Sequence, residues 1–296
     1  MKTAIIGLGL IGGSMAIDLR KAGVATMLIG VDNNSEHATR AMELGLVDAV
    51  AGLEDAVGQA DLIITAIPVN AIRNVLIKLM DYTPASAVVV DTGSTKSMIC
   101  KAIEKHPKRS QFVAAHPLAG TENSGPDAAF SGLFAGKTNI ICEKEKSSEK
   151  ALAVAARIFS ALEMRTIFMD PVEHDKHVAY VSHLSHVSAF LLGQTVLDIE
   201  KDEKNIFNLA GSGFASTVRL AKSSPDMWAP IFEQNAEYLS QALLEYIMHL
   251  QKFQYHLMKR DVNELHRIMT GANHIRKVLE GLDVKQKPSQ LIENKT

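Results

Sequence analysis

The sequence predicts an α/β doubly wound sheet over residues 1–169, followed by an all-α helical domain over residues 170–296. Three observations carry that prediction. Short runs rich in Ile and Val alternate with helical patterns through the first half. Asp170-Pro171-Val172-Glu173 then marks a change of character, and no strand pattern follows it as far as about Gly281. Strands covered on both faces read as unbroken apolar runs, and their alternation with helices implies parallel pairing.

Taken in order, the strand candidates are Thr3–Gly7, Met27–Val31, Asp61–Ile67, Ala87–Asp91, Phe112–Ala115, Asn139–Cys142 and Thr166–Met169. Helical patterns between them include Ser14–Ala22, Ser35–Leu44, Val69–Met80, Thr95–His106 and Ser148–Leu162. At Asp170 an acid stands in the N-cap position, proline takes the first helical position, and Glu173 is spaced to close a capping box. Four long amphipathic stretches follow: Val172–Leu197, Ile206–Ala221, Ile231–Met258 and Val262–Leu279. Residues from about Asp283 are polar and read as a frayed end.

Composition narrows the function classes. The chain has 31 Lys and Arg against 33 Asp and Glu, for a net charge of −2. That balance gives no reason to expect a nucleic-acid partner or a membrane surface. No apolar run approaches the roughly 20 residues needed to span a bilayer. The apolar opening from Thr3 to Ile17 is interrupted by four glycines and reads as strand-turn-helix rather than a targeting peptide. Cys100 and Cys142 are too few for a disulfide framework, which suits a cytoplasmic protein.

The opening turn carries the first functional signal. Gly7-Leu8-Gly9-Leu10-Ile11-Gly12 follows a strand, opens a helix, and precedes a second strand ending in Asp32. This is the Rossmann-type dinucleotide fingerprint. Gly7 permits the tight turn, Gly9 admits the pyrophosphate, and Gly12 allows helix and strand to pack closely. Leu8, Leu10 and Ile11 complete the cofactor-binding turn, at the positive end of the helix dipole. Asp32 is placed to accept from the adenosine ribose hydroxyls, and its charge would repel a 2′-phosphate, so NAD is expected. The same turn in another context would serve FAD or a nucleotide sugar. Ile67 and Pro68 close a later strand at the same carboxyl edge, where ligands of such sheets bind.

Polar clusters further along are candidates for the chemistry. In Asp91-Thr92-Gly93-Ser94-Thr95-Lys96 the Ser94 hydroxyl lies at the carboxyl edge, although Ser94 or Thr95 would equally cap a helix. His116 leaves the next strand at that edge, where an imidazole can act on a substrate. A helical run then brings His174, His177, His183 and His186, followed by Arg219 and Trp228. His174 with His177 and His183 with His186 are each one turn apart. Without a third ligand, a His-Glu-x-x-His motif or a cysteine pair, a metal site is not expected. At least two of these histidines are expected to be capping or surface residues.

Taken together these segments resemble the prephenate dehydrogenase family. The resemblance rests on Gly7–Ser14, Asp91–Lys96 and His116–Gly125, then on Ser182-His183-Leu184-Ser185-His186, Thr217–Ala221 and Pro225–Trp228, and it runs to about Gly281. It implies oxidative decarboxylation of prephenate by NAD in tyrosine biosynthesis. His116 would accept from the ring hydroxyl, and Ser94 would bind the same region and help orient His116. Arg219 would clamp a carboxylate of the dianionic substrate. Thr121 would line the pocket, Glu122 would buffer its charge, and His183, His186 and Trp228 would shape the entrance. A homodimer through the helical domain is implied as well. Arogenate is the rival substrate; another small dehydrogenase, or an inactive NAD sensor, is a more distant reading. Three departures from the family pattern stand out. Ser185 replaces the usual proline, which implies a straighter helix; Ala215-Ser216 replaces an Arg-Asp pair ahead of Arg219; and no regulatory or mutase segment is evident.

Overall fold

The computed structural model describes residues 1–203 and 205–286. The strands are β1 (Lys2–Ile6), β2 (Met27–Val31), β3 (Ala49–Val50), β4 (Leu62–Thr65), β5 (Val88–Asp91), β6 (Phe112–Pro117), β7 (Thr138–Cys142) and β8 (Arg165–Met169). They form one sheet in the order β3-β2-β1-β4-β5-β6-β7-β8. Chain order reverses between β1 and β4, so a crevice opens at their carboxyl ends, the place where such sheets bind ligands.

Helices cover both faces of this sheet. They are α1 (Leu10–Lys21), α2 (Ser35–Glu43), α3 (Leu53–Gly58), α4 (Val69–Tyr82), α5 (Ser97–Ile103) and α6 (Glu149–Ala161). Met15, Leu19, Ile158 and Phe159 pack with Ile5, Leu28 and Val113 on one face. Leu76, Leu79, Met80, Ile99 and Ile103 pack with Ile63, Val89 and Phe112 on the other. Central strands between two apolar layers need apolar side chains in both directions, hence Leu62-Ile63-Ile64 and Val88-Val89-Val90.

The second half contains α7 (Pro171–Val178), α8 (Leu184–Asp202), α9 (Ser212–Val218), α10 (Pro225–Gln234), α11 (Ala236–Met258), α12 (Val262–Ala272) and α13 (Ile275–Gln286). β8 ends at Met169, and the Asp170 carboxylate accepts from the amides of Val172 and Glu173, capping α7 as the sequence implies. No helix among the described residues is long and apolar enough to cross a membrane.

Several expectations are corrected. The pairing of β6 with β7 is antiparallel, so the sheet is mixed. An apolar run sandwiched between layers carries no signal of direction, which is why the sequence could not show this. β3 and α3 are additional elements, too short for a periodic signal. α1 starts at Leu10 rather than Ser14, directly at the glycine turn. α5 starts at Ser97 rather than Thr95. The stretch 172–197 is not one straight helix: residues Ala179–His183 form a π turn between α7 and α8, despite Ser185 standing where a proline was expected. The stretch 206–221 divides into 3-10 turns around α9, and 231–258 is broken at Asn235. The frayed end expected from Asp283 lies mostly outside the described residues, since α13 continues to Gln286.

Candidate active site

Gly7 and Gly12 of the first turn occupy positions that a side chain would spoil. Gly7 has φ +97°, and a Cβ there would come within 2.4 Å of the Ala66 carbonyl oxygen. A Cβ on Gly12 would lie 2.0 Å from the Gly7 carbonyl oxygen, so α1 and β1 meet backbone to backbone. Gly9 faces open space, its nearest neighbour being the Gly125 amide at 4.0 Å. No side chain caps α1 at Gly9. A bare, uncapped helix N-terminus fronted by a glycine is a cradle shaped for a diphosphate, so the residues fit the dinucleotide. Leu8 is buried while Leu10 and Ile11 are half-buried beside the turn. Asp32 accepts from the amides of Leu8 (2.8 Å) and Asn34 (2.9 Å), which pins its carboxylate at the end of β2. Ile67 follows β4, its Cγ2 beside Gly7, and Pro68 leads into α4.

The helical half sits on this same edge. Val69 of α4 packs with Trp228 and Ile231 of α10, joined by Phe190 and Phe232. Thr95 donates to Gln234 Oε1 (2.8 Å). The Lys96 and Ser97 amides, at the start of α5, both donate to the Asp175 carboxylate (2.8 Å each). Asp175 therefore supplies the cap that the sequence assigned to Ser94 or Thr95. The Ser94 hydroxyl, half-buried, makes no hydrogen bond among the described residues.

His116 lies within β6 rather than beyond it, and it is buried. Its Nδ1 is 2.8 Å from His174 Nε2, and His174 Nδ1 is 2.8 Å from Asp175 Oδ1. Among the described residues the hydrogen-bond partner of His116 is His174, a contact the sequence did not suggest. Beneath them Lys96 pairs with Asp91, both fully buried, and donates to the Ala115 carbonyl oxygen at 2.6 Å. Burial first, then the nearby His174, Lys96 and His183, pushes the His116 imidazole well below its usual range. It is a neutral base at pH 7.

Of the four helical histidines only His177 is exposed, where at least two were expected as capping or surface residues. His183 is buried, and its Nδ1 accepts from Asn235 Nδ2 at 3.0 Å. The same Asn235 amide donates to the Asp175 carbonyl oxygen, 2.7 Å. His186 stacks on Trp228 with ring centroids 3.5 Å apart, its Nδ1–H bonded to the Ser182 carbonyl oxygen. Trp228 Nε1 is buried and has no hydrogen-bond partner among the described residues. The π turn makes this arrangement possible: widening the helix at Ala179–His183 rotates His183 away from the register an unbroken α-helix would give it. Among the described residues no three His, Cys, Asp or Glu side chains gather as a metal ion would need.

Thr121 and Glu122 are half-buried in the loop after β6, with Thr121 Oγ1 accepting from the Asn123 amide. Arg219 Nη1 bonds Glu122 Oε2 at 2.9 Å, which spans the two halves. The arginine side chain is 52% exposed and its other donors point to no protein acceptor among the described residues. Its own backbone amide, then Arg219, holds the Glu122 carboxyl below its usual range. Sequence reasoning gave no role to Lys96, His174, Asp175 or Asn235. The signal was present as the adjacent His174-Asp175 pair just inside a capped helix, but only the fold brings it to His116.

The chain matches two family models in succession. Residues 15–168 match the prephenate dehydrogenase nucleotide-binding domain, and residues 170–271 the prephenate dehydrogenase dimerization domain. It is 34% identical to the cyclohexadienyl dehydrogenase of Zymomonas mobilis, covering 87% of this chain and 89% of that one. It is 31% identical to the prephenate dehydrogenase of Bacillus subtilis, covering 97% of this chain and 78% of that one. Among solved structures, the prephenate dehydrogenase of Aquifex aeolicus in complex with hydroxyphenyl propionate and NAD+ superposes with a TM-score of 0.84, at 30% identity, over 94% of this chain and 97% of that one. An arogenate dehydrogenase from Synechocystis superposes with a TM-score of 0.73, also at 30% identity, over 94% of this chain and all (100%) of its own.

Proposed function

The chain belongs to the prephenate dehydrogenase family of NAD-dependent oxidoreductases, and from that premise we propose that it converts prephenate and NAD to 4-hydroxyphenylpyruvate, CO2 and NADH. The observation that carries the proposal is His116: a buried, neutral imidazole on β6, at the edge where the glycine turn admits the dinucleotide. Gly7–Gly12, Asp32, Ile67 and Pro68 would hold NAD, which when bound would supply the hydride acceptor for the ring carbon that bears the hydroxyl. His116 Nε2 accepts the hydroxyl proton as that oxygen becomes a carbonyl. The unpartnered Ser94 hydroxyl orients the same oxygen. Loss of the ring carboxylate as CO2 then aromatises the ring, and no strong acid is required of the protein.

Arg219 binds a substrate carboxylate with the donors that Glu122 leaves open, a bidentate match for which guanidinium is suited. Thr121 lines the pocket, and the His186–Trp228 stack, backed by His183, walls its helical side. We place the division between the halves at 169/170 and assign a homodimer to the helical one. The protein is assigned to the cytoplasm, where tyrosine biosynthesis would employ it.

The test is to mix the protein with NAD and prephenate, or with arogenate, and follow NADH absorbance. Prephenate should support turnover, and His116→Asn should lower kcat by about a thousandfold with NAD affinity nearly unchanged. No NADH from prephenate overturns the proposal, and turnover confined to arogenate reassigns the substrate.

A further inference from the structure

His116, His174 and Asp175 form a chain whose hydrogen-bonding directions are fixed from its far end. The Asp175 carboxylate accepts three donors: the Lys96 amide and His174 Nδ1 on one oxygen and the Ser97 amide on the other. Burial by itself would raise this carboxyl, but the bonds from His174 and Ser97 outweigh it and keep it ionised. A carboxylate can only accept, so His174 carries its proton on Nδ1 and presents a bare Nε2. That nitrogen is 2.8 Å from His116 Nδ1 and must accept, so His116 carries its proton on Nδ1 as well. The two rings meet at an interplanar angle of 64°, edge to face, as a directed N–H···N bond between neighbouring rings allows. What remains open on His116 is the Nε2 lone pair.

We propose that Asp175 and His174 are a positioning relay for His116: they hold it in the tautomer whose Nε2 can accept the substrate hydroxyl proton, and they share the positive charge that acceptance creates. The proton balance closes within the chain. As the hydroxyl proton arrives on His116 Nε2, the Nδ1 proton moves toward His174 Nε2, and the imidazolium so formed lies against the Asp175 carboxylate. When the ring carboxylate leaves as CO2, its electron pair aromatises the ring and restores charge to the carbonyl oxygen, and the proton returns along the same path from Nε2 to that oxygen to give the phenol. The other charges facing His116 are arranged not to oppose this. Lys96 is neutralised by Asp91, and His183 is buried and neutral, its Nδ1 occupied by Asn235. This resembles the logic by which a buried carboxylate fixes an imidazole in hydrolytic triads, with a second histidine as spacer.

The inference rests on the proposed reaction for its purpose, but its first test needs no substrate. In the NAD-bound protein with 15N-labelled histidine, His116 and His174 should both appear as Nδ1–H tautomers at neutral pH. His116 found as the Nε2–H tautomer overturns the relay whatever the enzyme oxidises, whereas absence of prephenate turnover would sink the function and leave the tautomer result standing. The second test is kinetic. His174→Phe keeps a ring in the cavity without a nitrogen and should lower kcat roughly 10- to 100-fold with KM little changed. His174→Gln restores an acceptor for the His116 N–H and should recover part of that loss. A folded His174→Phe variant with kcat within about threefold of wild type also overturns the proposal.

Discussion

At the scale of single residues, burial decides the protonation of the histidines, and that has a consequence for stability. His183 is 1% exposed, and burial pushes its imidazole from 6.5 down to about 4. His116 and His174 are lowered too, in each case chiefly by burial. Below pH 6.5 the unfolded chain takes up protons that the folded chain refuses, so stability is full above that value and falls as the solution is acidified. For His183 alone the loss at pH 5 is about 2 kcal/mol. Urea unfolding at pH 7 and pH 5 should therefore give a free energy lower by at least that amount at pH 5, and equal values would contradict neutral burial. Which histidines behave this way was only partly legible in the sequence. His116 stood out because it ends an apolar run beside a cofactor motif. His174 and His177, one turn apart, read alike on the page; one faces β6 and the other solvent because α7 docks against α5 through Asp175, a contact between residues some 78 positions apart.

At the scale of elements, the glycine turn joining β1 to α1 was readable because its constraints are local, although α1 begins four residues before the helical pattern expected from Ser14. Gly12 is required by a clash with Gly7, five residues away, so both partners of the contact lie in one short motif. A methyl group there would sit 2.0 Å from a backbone oxygen that has nowhere to go. Gly12→Ala should force α1 away from β1 and cost about 1–3 kcal/mol or more, since overpacking against backbone cannot be relieved by a rotamer change. Because the displaced helix end is also the proposed cradle for the diphosphate, thermal stabilisation by added NAD should disappear in the variant. A variant with wild-type melting temperature and NAD response would show that the helix-strand approach is looser than its geometry. The π turn at Ala179–His183 and the antiparallel β7 are the opposite case. Each answers to packing between distant segments, so hydrophobic periodicity, which reports only which face is buried, could not reveal either.

At the scale of the whole molecule, the sheet is covered on both faces but the distal helices leave a run of apolar side chains exposed. Leu244 and Met248, one turn apart on α11, are each 60% exposed, and Met258 and Val262 at the turn into α12 are 79% and 72% exposed. α12 repeats apolar residues at Val262, Leu265, Ile268 and Met269, one stripe along a helix, yet none of its residues is buried. An 11-residue helix is marginal unless such a stripe packs on something. Apolar surface of this extent calls for a partner, and a second copy would meet the need with the residues that the dimerization-domain match covers. The assembly should therefore have twice the 32.2 kDa chain mass by light scattering at micromolar concentration. Replacing Leu244 and Met248 together by Lys places two like charges on each side of the joint and should yield a monomer. That monomer should melt lower, because α11 contributes Leu239 and Ala242 to the buried interior and continues without a break into the uncovered face. The two halves are bonded at Asp175, Gln234 and Arg219, so loosening α11 should reach Asn235 at its first turn and, through it, the His183 and Asp175 contacts. Loss of dimer with turnover and melting temperature unchanged would show that the exposed stripe serves another partner and that the site is complete within one chain.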